Sequence, residues 1–188
     1  VTGTITNWPI TLEQFLALPE AEPALEMSPN GEFAQKVSPT TEHAALQREL
    51  AMRLEAHARP RQQGHAFTEQ RVVLSRVARV PDVSFYGQER LPLDASGRYI
   101  AHPTSAPDLV AEIYSPGQED RPDVLLKIAW YLDQGVRVAL LVDPERRRVT
   151  VFSGAGEAVF TDDQSLPLED LLPGLLVTPA ELFAALEP

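Results

Sequence analysis

The sequence predicts an α/β fold in which a mixed β-sheet is flanked by helices. Three observations support this: a long amphipathic helical segment in the first third, short strand-like segments rich in valine in the middle, and the apolar run "VRVALLV" at 136–142. An apolar run of that length is typical of a strand covered on both faces. The chain has 188 residues, 44% of them hydrophobic, so we expect a single domain over 1–188 with a substantial core.

Helical and strand signals alternate in the first third of the chain. The segment "TLEQFLAL" predicts a helix with Thr11 as N-cap. The segment "ALEMSPNGEFAQKVS" predicts two short strands around a turn at 29–31. The segment "PTTEHAALQRELAMRLEAHA" predicts the longest helix, capped by Thr40 or Thr41, because its apolar residues recur at helical spacing.

The remainder of the chain predicts five strands and two helices. The segments "AFTEQRVVLS", "RVPDVSFYG" and "APDLVAEIYS" are each expected to be one strand. The helix "DVLLKIAWYL" follows, with Asp120 or Asp123 as its cap and Gly135 after its end. Two strands joined by a turn at 143–145 come next, and a short helix capped by Thr178 ends the chain.

Composition excludes several classes of protein. The net charge of −11 argues against binding of nucleic acid or acidic membranes by general electrostatic attraction. The chain has no cysteine, which excludes disulfides and thiolate metal sites. No apolar run approaches the roughly 20 residues of a membrane helix, and the first residues do not resemble a secretion signal. We therefore expect a cytoplasmic protein.

Two predicted strands carry acidic residues where strands usually avoid them. Asp82 follows Pro81 at the start of an apolar strand, and Glu112 lies between Ala111 and Ile113. A buried carboxylate must be paired, hydrogen-bonded or metal-bound, because its desolvation is costly. For each acid alone, a structural ion pair with an arginine is the simpler interpretation. Together they could hold a hard cation such as Mg²⁺ through oxygen ligands and so activate a water.

A lysine in the second long helix favours the metal-site interpretation of these acids over the ion-pair interpretation. Lys127 is one of only two lysines, whereas 14 of the 16 basic residues are arginines. An ion pair with Asp123 on an exposed helix face would explain its charge but not the choice of lysine. A compact ammonium can orient water and neutralise a phosphorane-like transition state, which the wide guanidinium of arginine does less well. Carboxylates with a lysine are the groups of a metal-dependent phosphodiesterase.

Several motifs in this order resemble a known family. The segments are "LEMSPNGE", the "EH" of residues 42–43, "VPDVSFYG", "PDLVAEIYSP", "DVLLKIAWYLDQGVRVALLVDP" and "LPGLLVTPAELF". They resemble a large family of uncharacterised bacterial proteins described as restriction endonucleases, within the PD-(D/E)XK nuclease superfamily, over nearly the whole chain. The resemblance implies a restriction-endonuclease-like mixed β-sheet flanked by helices, with the active site at one sheet edge.

The resemblance also implies roles for individual residues. Asp82 would be the aspartate of the "PD" motif, Glu112 the second acid and Glu26 a further metal ligand. The superfamily motif has its lysine two residues after the second acid, where this chain has Tyr114. Related families take the lysine from the following helix, so Lys127 is the expected catalytic lysine. It would act with Asp82 and Glu112.

Three residues are candidates for a supporting role in the site: His43, Tyr114 and Asp123. For His43, contact with solvent or a carboxylate at a helix start is the simpler interpretation, and a catalytic base is the alternative.

The leading functional prediction is an endonuclease that hydrolyses DNA with Mg²⁺ or Mn²⁺. We expect a homodimer, because twofold pairing is the commonest assembly and lets a nuclease address both strands. Two alternatives remain: a binding or assembly module without activity, and a metal-dependent hydrolase of a small phosphorylated substrate. The acidic net charge favours the module, and the complete set of two acids and a lysine favours an enzyme.

Overall fold

A computed structural model describes residues 9–115 and 122–187, which form two β-sheets and four α-helices. The α-helices are α1 (Leu12–Leu16), α2 (Thr41–Ala58), α3 (Pro122–Asp133) and α4 (Pro179–Phe183). The strands are β1 (Leu25–Met27), β2 (Phe33–Gln35), β3 (Gly64–Thr68), β4 (Val72–Leu74), β5 (Val77–Arg79), β6 (Val83–Gly87), β7 (Leu109–Ile113), β8 (Val138–Asp143), β9 (Arg148–Ser153) and β10 (Gly156–Thr161).

The larger sheet has six strands in the order β10-β9-β8-β7-β6-β3. Its β7 and β8 are parallel and joined through α3, whereas the other neighbours are antiparallel. The smaller sheet, of order β2-β1-β5-β4, is antiparallel throughout. The predicted class, a mixed sheet flanked by helices, is therefore confirmed. A second sheet was not predicted.

Alternation along the central strands divides the core into two faces of the larger sheet. Phe85 and Leu140 join the cluster that α2 and α4 cover, and Tyr86 and Leu141 join the cluster that α3 covers. Each strand residue thus faces the helix layer opposite to that of its neighbour, as the two-residue period of a strand requires. This arrangement fixes which side chains of β6 and β7 face α3. Among the described residues, no helix is long and apolar enough to cross a bilayer.

Most element predictions are confirmed where a cap or a strong period marked them. Thr11, Thr40 and Thr178 cap α1, α2 and α4, and each side chain accepts a hydrogen bond from the third backbone N–H of its helix. The turn at 29–31 lies between β1 and β2, and Gly31 there has φ of 82°. Its left-handed conformation favours glycine over any residue with a Cβ atom.

Three element predictions need correction, and one strand was not predicted. The segment "AFTEQRVVLS" forms two strands, β3 and β4, because Glu69 turns the chain with φ of 51°. The segment "RVPDVSFYG" likewise contains the end of β5 and all of β6, and the break falls at 80–82. Strand β10 was not predicted. Asp123 lies inside the first turn of α3 and not at its cap, while Asp120 lies outside the described residues.

The packing of α2 on the larger sheet generates a stability prediction. Leu54 is fully buried in the main cluster, whereas Leu176 is 74% exposed. We expect Leu54→Ala to lower the free energy of unfolding by about 2–5 kcal/mol, because it removes buried methyl groups and leaves a cavity. Leu176→Ala, the matched control, should change it by less than about 0.5 kcal/mol. Denaturant titration measures both, and equal losses would contradict this packing.

Candidate active site

Asp82 and Glu112 face each other across the pair of central strands β6 and β7. The pairing of Val83 with Ala111, continued by one residue, sets Asp82 opposite Glu112. Asp82 Oδ2 accepts a hydrogen bond of 2.7 Å from the backbone N–H of Ile113. Both carboxylates are buried, with side chains 2% and 9% exposed. The strand register therefore holds two acids side by side at the edge of the core.

Glu26 reaches the same place from the smaller sheet. Strand β1 pairs with β5 through Met27 and Ala78, so Glu26 lies beside the residues that follow β5. Its Oε1 accepts a hydrogen bond of 2.7 Å from the backbone N–H of Val80, and its Oε2 lies 3.4 Å from the Arg79 guanidinium. The smaller sheet thus supplies a third, largely buried carboxylate.

Lys127 lies between two of these acids. Its Nζ is 2.8 Å from Oε1 of Glu26 and 2.8 Å from Oε1 of Glu112, and its side chain is 12% exposed. The hydroxyl of Tyr131, one helical turn further on, donates to Glu112 Oε1 at 3.1 Å. Asp123 is exposed and is not an ion-pair partner of Lys127 among the described residues. A surface pair within α3 therefore does not explain this lysine.

A second ammonium neutralises Asp82 from the other side. Lys36 Nζ lies 2.8 Å from Asp82 Oδ1 and 2.9 Å from Glu69 Oε2. His43 Nε2 lies 3.3 Å from the same Asp82 oxygen, and Gln47 Nε2 donates to Glu69 Oε1 at 3.0 Å. One ligand atom each from His43, Glu69 and Asp82 lies within 4.8 Å of the others, a spacing that could hold a metal ion.

The predicted site residues divide into those that converge and those that do not. Glu26, Glu112 and Lys127 are in direct contact, Asp82 adjoins them across the strand pair, and His43 contacts Asp82. The two other supporting candidates lie elsewhere: the side chain of Tyr114 joins the apolar cluster under α3, and Asp123 is exposed. His43 is 7% exposed, so its partner is a carboxylate and not solvent.

Sequence reasoning missed Lys36, Gln47, Glu69 and Tyr131 as site residues. The signal for Lys36 was present, because the rarity of lysine that drew attention to Lys127 applies equally to the only other lysine. Gln47 and Glu69 carried no comparable signal. A glutamine on a helix and a glutamate between two strands are ordinary residues until the fold brings them to Asp82.

The acids of the site have opposite pKa shifts. Burial raises the pKa of Glu112 to about 7, and the nearby charges of Asp82 and Glu26 add to this against the pull of Lys127. Burial also opposes ionisation of Glu26 and Asp82, but the Lys127 ammonium lowers the pKa of Glu26. The His43 hydrogen bond and the Lys36 ammonium lower the pKa of Asp82. Glu112 is therefore the acid of this group whose ionisation burial opposes most, whereas nearby positive charge and hydrogen bonds favour the ionised forms of Glu26 and Asp82.

Comparison with known proteins agrees with the sequence resemblance. A crystal structure of a protein from Anabaena variabilis ATCC 29413, described as a putative nuclease belonging to DUF820, superposes with a TM-score of 0.87. The two chains are 32% identical, and the alignment covers 95% of this chain and 99% of the other. No curated protein matches the chain.

A model of the Uma2 family, described as putative restriction endonuclease, matches residues 12–181. This range includes every residue of the site described above, from Glu26 of β1 to Tyr131 of α3. The chain belongs to the Uma2 family of putative restriction endonucleases.

Proposed function

We propose that the protein is a nuclease that hydrolyses phosphodiester bonds of DNA with a divalent metal ion, Mg²⁺ or Mn²⁺. The observation that carries the proposal is the contact of Lys127 with Glu26 and Glu112 beside Asp82, which directly precedes the central strand β6. Buried acids with a buried ammonium are the groups that metal-assisted hydrolysis of a phosphodiester requires. The description of the family and of the Anabaena protein as nucleases supports the same reaction class.

Asp82, Glu112 and Glu26 are the proposed ligands of the ion. Carboxylate oxygens are the donors that Mg²⁺ and Mn²⁺ prefer, so the donor chemistry of these residues fits the ion. Among the described residues, however, the ligand atoms that lie within 4.8 Å of one another belong to His43, Glu69 and Asp82. The set of His43, Glu69 and Asp82 is a second possible position, and it shares Asp82 with the first. A bound divalent cation would lower the pKa of a coordinated water and stabilise the leaving oxygen.

Lys127 is the proposed catalytic lysine. Its ammonium lies 2.8 Å from an oxygen of Glu26 and 2.8 Å from an oxygen of Glu112. If a cation neutralised these carboxylates, the same ammonium would be free to orient the attacking water or stabilise charge on the phosphoryl oxygens. The ring of Tyr131 lies 5.9 Å from Nζ and restricts the position of the lysine. We further propose a homodimer, which light scattering in solution would test.

Metal binding tests the ligand set. We expect calorimetry with Mn²⁺ to show binding that Asp82→Asn and Glu112→Gln each abolish, because both remove a charged oxygen ligand. Glu69→Gln should retain binding, and Glu157→Gln on the exposed strand β10 is the matched control. Loss of binding in Glu69→Gln with retention in Glu112→Gln would move the ion to the set of His43, Glu69 and Asp82.

Nuclease activity tests the reaction and the lysine together. With Mg²⁺ or Mn²⁺ the protein should cut single-stranded or double-stranded DNA, and EDTA should abolish cutting. Lys127→Met should lose about 100-fold or more in rate, because the ammonium that stabilises the transition state is gone while the stem still packs. Lys127→Arg should also lose most activity, because the guanidinium does not fit between Glu26 and Glu112.

The activity assay contains its own controls. The Lys127→Met protein, purified identically, reveals a contaminating nuclease if it cuts as fast as the wild type. Equal rates for wild type and Lys127→Arg would contradict the catalytic role of the lysine. Absence of cutting of DNA and RNA with Mn²⁺ bound would favour the binding module or the hydrolase of a small phosphorylated substrate.

The raised pKa of Glu112 gives a prediction for stability without metal. Its pKa rises from the ordinary 4.5 to about 7 on folding, so the protonated form stabilises the fold fully below pH 4.5. That stabilisation is lost as the pH rises through 7. Glu112→Gln imitates the protonated form at every pH, so its stability advantage over the wild type should grow by about 1–3 kcal/mol between pH 4.5 and 7.5.

Thermal unfolding in EDTA at several pH values measures this difference. The contributions of Asp82 and Glu26 to the pH dependence of stability largely cancel in this comparison, because the wild type and the variant both retain those residues. Glu157→Gln should show no such pH-dependent difference, since that residue lies on the exposed edge strand. A constant gap between the melting temperatures of wild type and Glu112→Gln from pH 4.5 to 8 would contradict the raised pKa.

A further inference from the structure

A cavity of about 970 Å³ opens beside the acids of the site. Lys36, His43 and Asp82 line one part of it, and Arg71 and His102 line another. The volume is at the upper end of the range of about 300–1,000 Å³ that is usual for ligand pockets. A ligand that contacts Asp82 could therefore extend well beyond that residue within the cavity.

Arg71 is not neutralised by any acid among the described residues. Its guanidinium carbon lies 5.4 Å from the centre of the Phe15 ring, and its Nε is buried without a hydrogen-bond partner. Arg79 differs, because its guanidinium contacts Glu26. A buried N–H without an acceptor is costly, and stacking on an aromatic ring holds a guanidinium in one orientation. The Nε of Arg79 is also without a partner, but of the two arginines only Arg71 both lines the cavity and lacks an acid partner among the described residues. The Arg71 guanidinium is therefore available to an anion that enters the cavity.

His102 adds a second unsatisfied group to the same cavity. Its Nδ1 is buried without a hydrogen-bond partner. The backbone N–H of Val73 donates to the carbonyl of Pro103 at 2.8 Å, so the segment that carries His102 is fastened to β4, which begins directly after Arg71. Two separate segments thus bring the side chains of Arg71 and His102 to one cavity, and Asp82 also lines that cavity.

We propose that Arg71 and His102 form a subsite for a phosphate group of the substrate strand, next to the phosphodiester that is cut. The assignment rests on the proposed nuclease function. Phosphate is the favoured anion because the planar fork of a guanidinium donates two parallel hydrogen bonds to its oxygens. A strand with one phosphate at the metal ligands and a neighbouring phosphate at Arg71 would occupy the cavity along its length.

The charge of the cavity rim favours a single strand over a duplex. Glu20 and Glu22 line the rim and are exposed, so they repel phosphates outside the cavity. A duplex laid across this surface would bring two rows of phosphates against those acids. A single strand that enters the cavity would instead meet Lys36 and Arg71. Glu20 and Glu22 then disfavour the duplex, and Arg71 fixes the position of the strand.

Binding of two probes tests the subsite. The probes are inorganic pyrophosphate, followed by calorimetry, and a six-nucleotide single-stranded DNA with a fluorescent label, followed by anisotropy, both with Ca²⁺. We expect Arg71→Met to weaken both by at least about tenfold, because it removes charge-assisted hydrogen bonds. Arg48→Met is the matched control, since Arg48 is exposed on α2 and does not line the cavity, and it should change binding less than about twofold. Binding of Mn²⁺ should be unchanged in both variants.

Each outcome separates the subsite from the proposed function. Equal binding by Arg71→Met and Arg48→Met would overturn the subsite, and so would a failure of the wild type to bind either probe. If the wild type still cut DNA in that case, the proposed nuclease function would remain supported. Pyrophosphate binding that depends on Arg71 without binding of the DNA overturns the nucleic-acid strand as the source of the phosphate. Should Arg71→Met fail to fold, His102→Ala on the same probes decides, and unchanged affinity there overturns the two-residue subsite.

Discussion

The neutralisation of buried carboxylates by two lysines is the interaction on which the rest of the site depends. An isolated carboxylate out of water is unstable, so Glu26, Asp82 and Glu112 can be buried together only with opposite charge close by. Lys127 lies between Glu26 and Glu112, Lys36 pairs with Asp82, and the Arg79 guanidinium adds a further positive charge at Glu26. Burial remains the main reason for the raised pKa of Glu112, and the neighbouring carboxylates add to it. Under the proposed function, a divalent metal ion would supply further positive charge to these acids.

This charge balance also explains the smaller sheet. The sheet has its own small apolar cluster, which includes Met27, Val73 and Ala78. In addition, its β1 carries Glu26 into the site, and Lys36 directly follows its β2. The sheet is attached to the central strands through β5, whose next residues, at 80–82, lead into Asp82. One acid and one ammonium from the periphery therefore meet the two acids of β6 and β7. Without the smaller sheet, Asp82 would lack the ammonium of Lys36, and Lys127, whose ion pairs are with Glu26 and Glu112, would not replace it.

The sequence could predict a site residue only where that residue broke a local sequence pattern. Asp82, Glu112 and Lys127 stood out because each breaks a local pattern: a carboxylate in or beside an apolar strand, or a lysine in an apolar helix. Glu69 follows no such pattern, and it even divides the strand predicted around it, because its positive φ turns the chain. Strand β10 is exposed along most of its length, so it lacks the apolar alternation by which a strand is recognised.

The net charge of −11 is compatible with a nucleic-acid substrate if positive groups inside the cavity contact the phosphates directly. Long-range attraction to DNA is weak for such a chain, so affinity has to arise from few and close contacts. A cation at Asp82 and the guanidinium of Arg71 would be two such contacts within one cavity. Binding of the strand would then follow binding of the ion, because without it the acids repel phosphate. Under the proposed function, the excess negative charge would therefore make the ion a condition for binding the substrate as well as for hydrolysing it.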